Sequence, residues 1–133
     1  MTLVDSSVWI DYFRGDKNLQ TEYLDRLLEQ SEEEVAVADL VVFEVLRGFT
    51  DVRTQRKAQA LLLSTTLVDI GGLDNALRAA SVYRQLREQG RTVRSPIDIL
   101  LASYCMTHGH VLLHRDADFE SLKTLGDLDT WPN

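Results

Sequence analysis

Four short runs of β-branched or apolar residues, at 2–4, 35–38, 66–70 and 111–113, are each separated from the next by segments with helical spacing of apolar residues. That alternation leaves little choice of architecture. A strand followed by a helix returns to the sheet in the same direction, so the sequence predicts an α/β fold with a central, mostly parallel sheet covered by helices. Local chemistry marks the helices. Residues 7–14 and 19–30 form the first two, the second with Tyr23, Leu24, Leu27 and Leu28 along one face. Asp39 is placed to cap a helix running to Arg47, with Gly48 supplying a left-handed turn at its end. A helix follows at 54–63. After Gly71-Gly72, a long one carries Leu73, Ala76, Leu77, Ala80, Tyr83 and Leu86 and ends at Gly90. Ser95-Pro96 opens the next, with Ser as N-cap and Pro at the first helical position, and Ile97, Leu100, Leu101, Tyr104 and Cys105 make its apolar face up to His108-Gly109. A last short helix is expected over 120–125. With 133 residues, no repeat, no low-complexity tract and no linker, the chain reads as one domain spanning residues 1–133.

The charge balance narrows the function. Twenty-one Asp+Glu against 14 Lys+Arg give a formal net charge of -7, the wrong sign for a chain that coats nucleic acid through a basic surface. An enzyme that reaches a phosphodiester through bound cations stays open, because carboxylates gathered around divalent metal would account for part of the acidic excess. Cys105 is the only cysteine, which excludes an intrachain disulfide framework. The start of the chain lacks a basic region followed by an apolar signal segment, and the longest apolar-dominated stretch, 99–106, is far too short to span a bilayer. A cytoplasmic chain with no membrane partner is expected.

In an open parallel sheet the binding crevice lies beyond the carboxyl ends of the strands, where the strand order reverses. Asp5 directly follows the first strand, Asp116 comes shortly after the fourth, and Asp98 lies in the first turn of the helix leading into the fourth. Each acid also has a plain structural use. Asp5 is a turn former or helix cap as readily as a ligand, and Ser6 and Ser7 beside it can cap the next helix or hold metal-bound water. Glu44 sits on the narrow polar sector of a helix otherwise covered by Val41, Val42, Val45, Leu46 and Phe49, either paired with Arg47 one turn on or turned into a site. Ser95 and Asp98 have the spacing of a capping box, and a carboxylate kept ionised at a helix N-terminus is also what a metal ligand requires. Asp118 reads as a cap or as a group supporting Asp116. Four carboxylates converging without a cation would repel one another, whereas Mg²⁺ or Mn²⁺ takes hard oxygen ligands of this kind. The chemistry that most naturally follows is phosphodiester hydrolysis.

Four segments together resemble a known family. They are Leu3-Val4-Asp5-Ser6-Ser7-Val8-Trp9-Ile10, Val41-Val42-Phe43-Glu44-Val45-Leu46-Arg47-Gly48, Val93-Arg94-Ser95-Pro96-Ile97-Asp98-Ile99-Leu100-Leu101-Ala102 and Leu112-Leu113-His114-Arg115-Asp116-Ala117-Asp118-Phe119. In this order and spacing the chain is similar to PIN-domain ribonucleases, and among them to the VapC-type toxins of bacterial toxin–antitoxin pairs. The resemblance implies a PIN-like three-layer α/β/α fold around a sheet of four to five strands. It implies a Mg²⁺- or Mn²⁺-dependent endoribonuclease acting on transfer or ribosomal RNA, a homodimer, and inhibition by a cognate VapB-like antitoxin. By motif it makes Asp5, Glu44, Asp98 and Asp116 the catalytic, metal-holding acids, supported by Ser7. One position departs, since many members carry Ser or Thr where this chain has His114.

Arg94 and Arg115 lie within these segments and are the expected phosphate contacts, while Trp9, Tyr12 and Phe13 belong more readily to a core or interface than to base stacking. Two other classes stay in view. A phosphoacceptor domain also gathers acids at the carboxyl edge of a parallel sheet, although a receiver would want an acidic pair beside the first strand and a late Lys. A catalytically silent PIN-like RNA-binding module is the other.

Overall fold

The computed structural model describes residues 1–30 and 32–132. Among them run five strands and seven helices: β1 (Thr2–Val4), α1 (Ser6–Arg14), α2 (Leu19–Glu29), β2 (Val35–Ala38), α3 (Asp39–Leu46), α4 (Val52–Leu63), β3 (Thr66–Val68), α5 (Leu73–Glu88), α6 (Pro96–His108), β4 (Val111–Leu113), α7 (Asp118–Lys123) and β5 (Asp129–Trp131). The strands form one sheet in the order β3-β2-β1-β4-β5, and every pairing is parallel. From β1 the chain builds outward through β2 to β3, then crosses back to add β4 and β5 on the far side. The order therefore reverses between β1 and β4, whose residues pair Thr2 with Val111, Leu3 with Leu112 and Val4 with Leu113.

The reversal also distributes the helices. Contacts link α1 with α2 and α3, and α3 with α4, while a second set links α5 with α6 and α6 with α7, giving helical layers on the two faces of the sheet. Strands covered on both faces are apolar without alternation. All of β1 and β2 is buried, and Leu3, Ala36, Val37, Leu112 and Leu113 are fully sequestered. The edge strand β3 is only partly covered, with Leu67 54% exposed. No helix of the described residues is long and apolar enough to cross a membrane.

Several local expectations are corrected. The strand β5 lies in a segment expected to carry no strand; it forms because Leu113 pairs with Trp131 and the Trp131 ring stacks on Tyr23 of α2 at 4.0 Å, contacts made across the whole chain. Asp39 does not cap α3. Its Oδ1 accepts a hydrogen bond from the Ile70 amide at 2.8 Å, fastening the start of that helix to the segment after β3. Gly48 does not enter the left-handed region; the glycines that do so are Gly15, Gly90, Gly109 and Gly126, and Gly109 closes α6 at φ 69°. Of the face assigned to α5 only Leu86 is buried; Leu73, Leu77 and Tyr83 are turned outward and exposed, whereas Asn75 and Ala79 take the buried positions. Asn75 explains the rotation. Its amide donates to the carbonyls of Ile70 and Leu100 at 2.8 and 3.0 Å, tying α5 to α6 through a polar contact that apolar periodicity does not register. The final helix begins at Asp118, two residues before its expected start.

Burial makes the contribution of the strands unequal. Removing the Leu112 side chain empties space closed on every side, so Leu112→Ala is expected to destabilise the chain by about 3 kcal/mol. Leu19 is 65% exposed, and Leu19→Ala is expected to cost under about 1 kcal/mol, both read from urea unfolding.

Candidate active site

The pairing of β1 with β4 delivers two loops to one place. Asp5 leaves β1 with its amide still bonded to the Leu113 carbonyl of β4 at 2.9 Å. Its Oδ2 then caps α1, accepting from the Ser7 amide at 3.0 Å and the Ser7 hydroxyl at 2.6 Å. The same Ser7 Oγ accepts from the Arg115 amide at 3.1 Å, so the loops after β1 and β4 are stitched together through one hydroxyl. Asp5 is 1% exposed, and its other oxygen, Oδ1, is buried without a hydrogen-bond partner.

Beyond β4, the loop folds on itself. His114 is buried, and its Nδ1 accepts from the Asp116 amide at 3.2 Å, which requires the tautomer protonated on Nε2. Burial pushes its pKa below the ordinary histidine value. Packed 4.8 Å from Phe119, it braces the turn that carries Asp116. Asp116 Oδ1 in turn accepts from the Asp118 amide at 2.9 Å. Asp98 approaches from the first turn of α6. Ser95 makes no side-chain cap bond there, so the expected capping box does not form and the Asp98 carboxylate is not spent on the helix end. Asp98, Asp116 and Asp118 each offer an oxygen within 4.8 Å of the other two. Asp118, expected only to support, thus stands within this closest group.

Glu44 is contributed by α3. The pairing with Arg47 is not made; that guanidinium lies over the Phe43 ring at 5.5 Å, while Glu44 Oε1 is buried without a partner. The acids feel one another through a poorly solvated interior. Asp98 is raised to about 8, first by burial and then by the charges of Asp5, Asp116, Glu44 and Asp118. Burial raises Asp5 to about 6 even though Ser7 opposes the shift, and Glu44 adds to it. Asp5, Glu44, Asp98, Asp116 and Asp118 therefore share one field at the crevice where the strand order reverses. The arrangement fits a hard divalent cation: every donor is a carboxylate oxygen, and two of those oxygens are buried with nothing to bind.

The flanking residues sort clearly. Arg94 bonds Asp118 Oδ2 through its amide and Nε at 3.4 and 3.5 Å, and Arg115 Nη1 lies 3.3 Å from Asp11 Oδ2. Asp11 was not singled out from the sequence; the signal is its place one helical turn after Ser7 on the same face of α1. Trp9 is fully buried and stacked on Phe13 at 5.8 Å, so it belongs to the core. Cys105 is buried with its thiol pushed up to about 12, mainly by burial and secondarily by Asp5, and is chemically inert.

A carboxyl group whose pKa is higher folded than unfolded binds more protons in the native state, so its contribution falls as pH rises through the folded value. In divalent-free buffer, thermal stability is expected to decline from about pH 4, where the unfolded carboxyls ionise, to about pH 8, Asp5 contributing to the fall up to about 6 and Asp98 up to about 8. Asp98→Asn should flatten the upper part of that decline and raise Tm at pH 8 by about 5 °C, as followed by circular dichroism. A wild-type Tm that climbs with pH over this range would contradict the shared field.

Comparison with known proteins agrees with this geometry. Residues 2–125 match the model of the PIN domain family. Ribonuclease VapC11 of Mycobacterium tuberculosis is 31% identical over 128 residues, covering 96% of each chain. The fold is shared with VapBC2 from Rickettsia felis, solved bound to a DNA fragment from its promoter, at a TM-score of 0.77 and 14% identity over 97% of this chain and 96% of that one. It is shared also with VapC20 of Mycobacterium tuberculosis, described as a Sarcin-Ricin loop cleaving toxin, at a TM-score of 0.69 and 18% identity over 97% and 98% of the two chains. With its sheet order, its acidic crevice and these matches, the chain belongs to the PIN-domain family, within its VapC branch.

Proposed function

We propose that this chain is a cytoplasmic, metal-dependent endoribonuclease, the toxin of a type II toxin–antitoxin pair, acting as a single domain over residues 1–133. The observation that carries the reading is the set of carboxylates at the sheet's reversal point, Asp5 and Asp98 buried and Glu44, Asp116 and Asp118 half-buried, with orphaned oxygens on Asp5 and Glu44, an arrangement that costs stability unless a cation is bound. Asp5, Glu44, Asp98 and Asp116 would hold Mg²⁺ or Mn²⁺, with Asp118 and Ser7 in support. When bound, the ion supplies activation of water and neutralisation of charge at a phosphodiester.

The chain's own groups do the positioning. Ser7 fixes which oxygen of Asp5 is left without a partner by engaging the other one. His114, as a neutral imidazole, holds the Asp116 backbone in place rather than exchanging protons with substrate. Arg94 and Arg115 border the acids and offer guanidinium donors to an RNA backbone that the carboxylates would otherwise repel. Ribosomal or transfer RNA is the substrate class, in keeping with the VapC20 description.

Two surfaces support the partners. A cleft of about 310 Å³ between α1, α3 and the start of α4 is lined by Ile10, Phe13, Val45 and Phe49, with Arg14 and Asp51 among its polar lining residues. It suits the apolar face of a helix from a VapB-like antitoxin. The outward stripe Leu73, Leu77 and Tyr83 on α5 supports a homodimer.

Purified free of antitoxin, the chain is expected to cleave RNA with added Mg²⁺ or Mn²⁺ and to stop in EDTA. Asp5→Asn and Asp98→Asn should each lower the cleavage rate by about a hundredfold or more with the circular dichroism spectrum intact. Equal cutting by wild type and variants, or cutting that persists in EDTA, overturns the assignment. Stable aspartyl labelling by acetyl phosphate would favour a phosphoacceptor instead.

A further inference from the structure

The network around Arg115 extends away from the acids to a residue that the proposed chemistry does not use. Arg115 is fixed at two points. Its amide is held by Ser7, and its guanidinium reaches Asp11 through Nη1 at 3.3 Å. Asp11 is itself braced, because the same Oδ2 accepts from Asn18 Nδ2 at 3.2 Å. Asn18 cannot swing away. It is the N-cap of α2, where its Oδ1 accepts from the Thr21 backbone amide at 2.9 Å and its backbone N–H donates to Thr21 Oγ1 at 3.0 Å. A closed capping box thus anchors a carboxylate, which anchors an arginine lying between His114 and Asp116 in the chain.

The pair is poorly suited to holding the fold together. The Arg115 side chain is 56% exposed and that of Asp11 only 14%, and a half-exposed ion pair adds little to stability. Its geometric effect is larger. A free arginine has many rotamers to lose on meeting a ligand, and the Asp11 contact narrows that set in advance. One Nη1 contact leaves the remaining donors of the planar guanidinium for a second anion.

We propose that Asp11 is a positioning residue that holds the Arg115 guanidinium beside the carboxylate cluster as a preset clamp for an RNA phosphate. The inference rests on the ribonuclease reading for its ligand. Asp11 does not touch RNA; it acts through Arg115.

The test is a double-mutant cycle on RNA binding with a fluorescein-labelled RNA stem-loop. Fluorescence anisotropy is read with Ca²⁺ in place of Mg²⁺, so that affinity is measured apart from cleavage. Arg115→Ala is expected to raise Kd about tenfold and Asp11→Ala about fivefold, each lowering the salt dependence by about one phosphate contact. The double variant should bind no more weakly than Arg115→Ala alone. Asp11→Asn, which keeps an acceptor for Asn18, should fall between wild type and Asp11→Ala. An Asp11→Ala protein with wild-type Kd overturns the proposal. So does a fivefold loss repeated in the Arg115→Ala background, or a loss of Tm with Kd and salt slope unmoved. Wild-type chain that fails to bind the stem-loop also overturns it. Absent cleavage with the cycle intact would instead count against the ribonuclease reading alone.

Discussion

The parallel pairing of β1 with β4 is the constraint on which the rest of the molecule depends. The strands are three residues each, too short to be secured by their own ladder, and they are held because both lie at the centre of a sheet covered on two faces. Their register decides where the loops emerge. With Val4 opposite Leu113, Asp5 leaves the sheet beside His114, and two residues of loop then suffice to bring Asp116 round. A shift of one position would turn the side chains of one strand to the opposite face and separate the acids.

At that junction the molecule accepts an unfavourable local arrangement. Burying carboxylates near one another raises Asp98 to about 8 and Asp5 to about 6, and each step of that rise is a loss of native stability above the ordinary carboxylate range. The surrounding structure compensates with apolar packing and with fixed backbone donors. The Ser7 and Asp118 amides bond the Asp5 and Asp116 carboxylates directly, and His114 accepts from the Asp116 amide and pins the backbone of that loop.

Much of this was legible in the residues, and the exceptions share a cause. β1, β2 and β4 are runs of apolar residues between turn signals, and local pattern alone locates them. β5 is invisible to such a reading because Asp129, Thr130 and Trp131 become a strand only through β4 and the Tyr23 ring. The face of α5 was misjudged for a related reason: Asn75 is buried for its two donors, so a polar contact outweighs three apolar side chains in setting the helix rotation. At the crevice, position marked Asp5, Asp98 and Asp116 as eligible and left Glu44 open, and the set of four rested on the resemblance of the motifs. Two things could not be picked out: that Ser95 leaves the helix end without a side-chain cap, and that Asp118 brings an oxygen within 4.8 Å of both Asp98 and Asp116.

Asp5 divides its labour between its two oxygens, one closing the first turn of α1 and the other buried with no partner. An amide in its place retains an acceptor for the helix and abolishes the anion, whereas a side chain without oxygen removes both. Chemistry and shape can therefore come apart at this position along a single narrow route, and a silenced descendant of this chain would still present the surfaces of a working one.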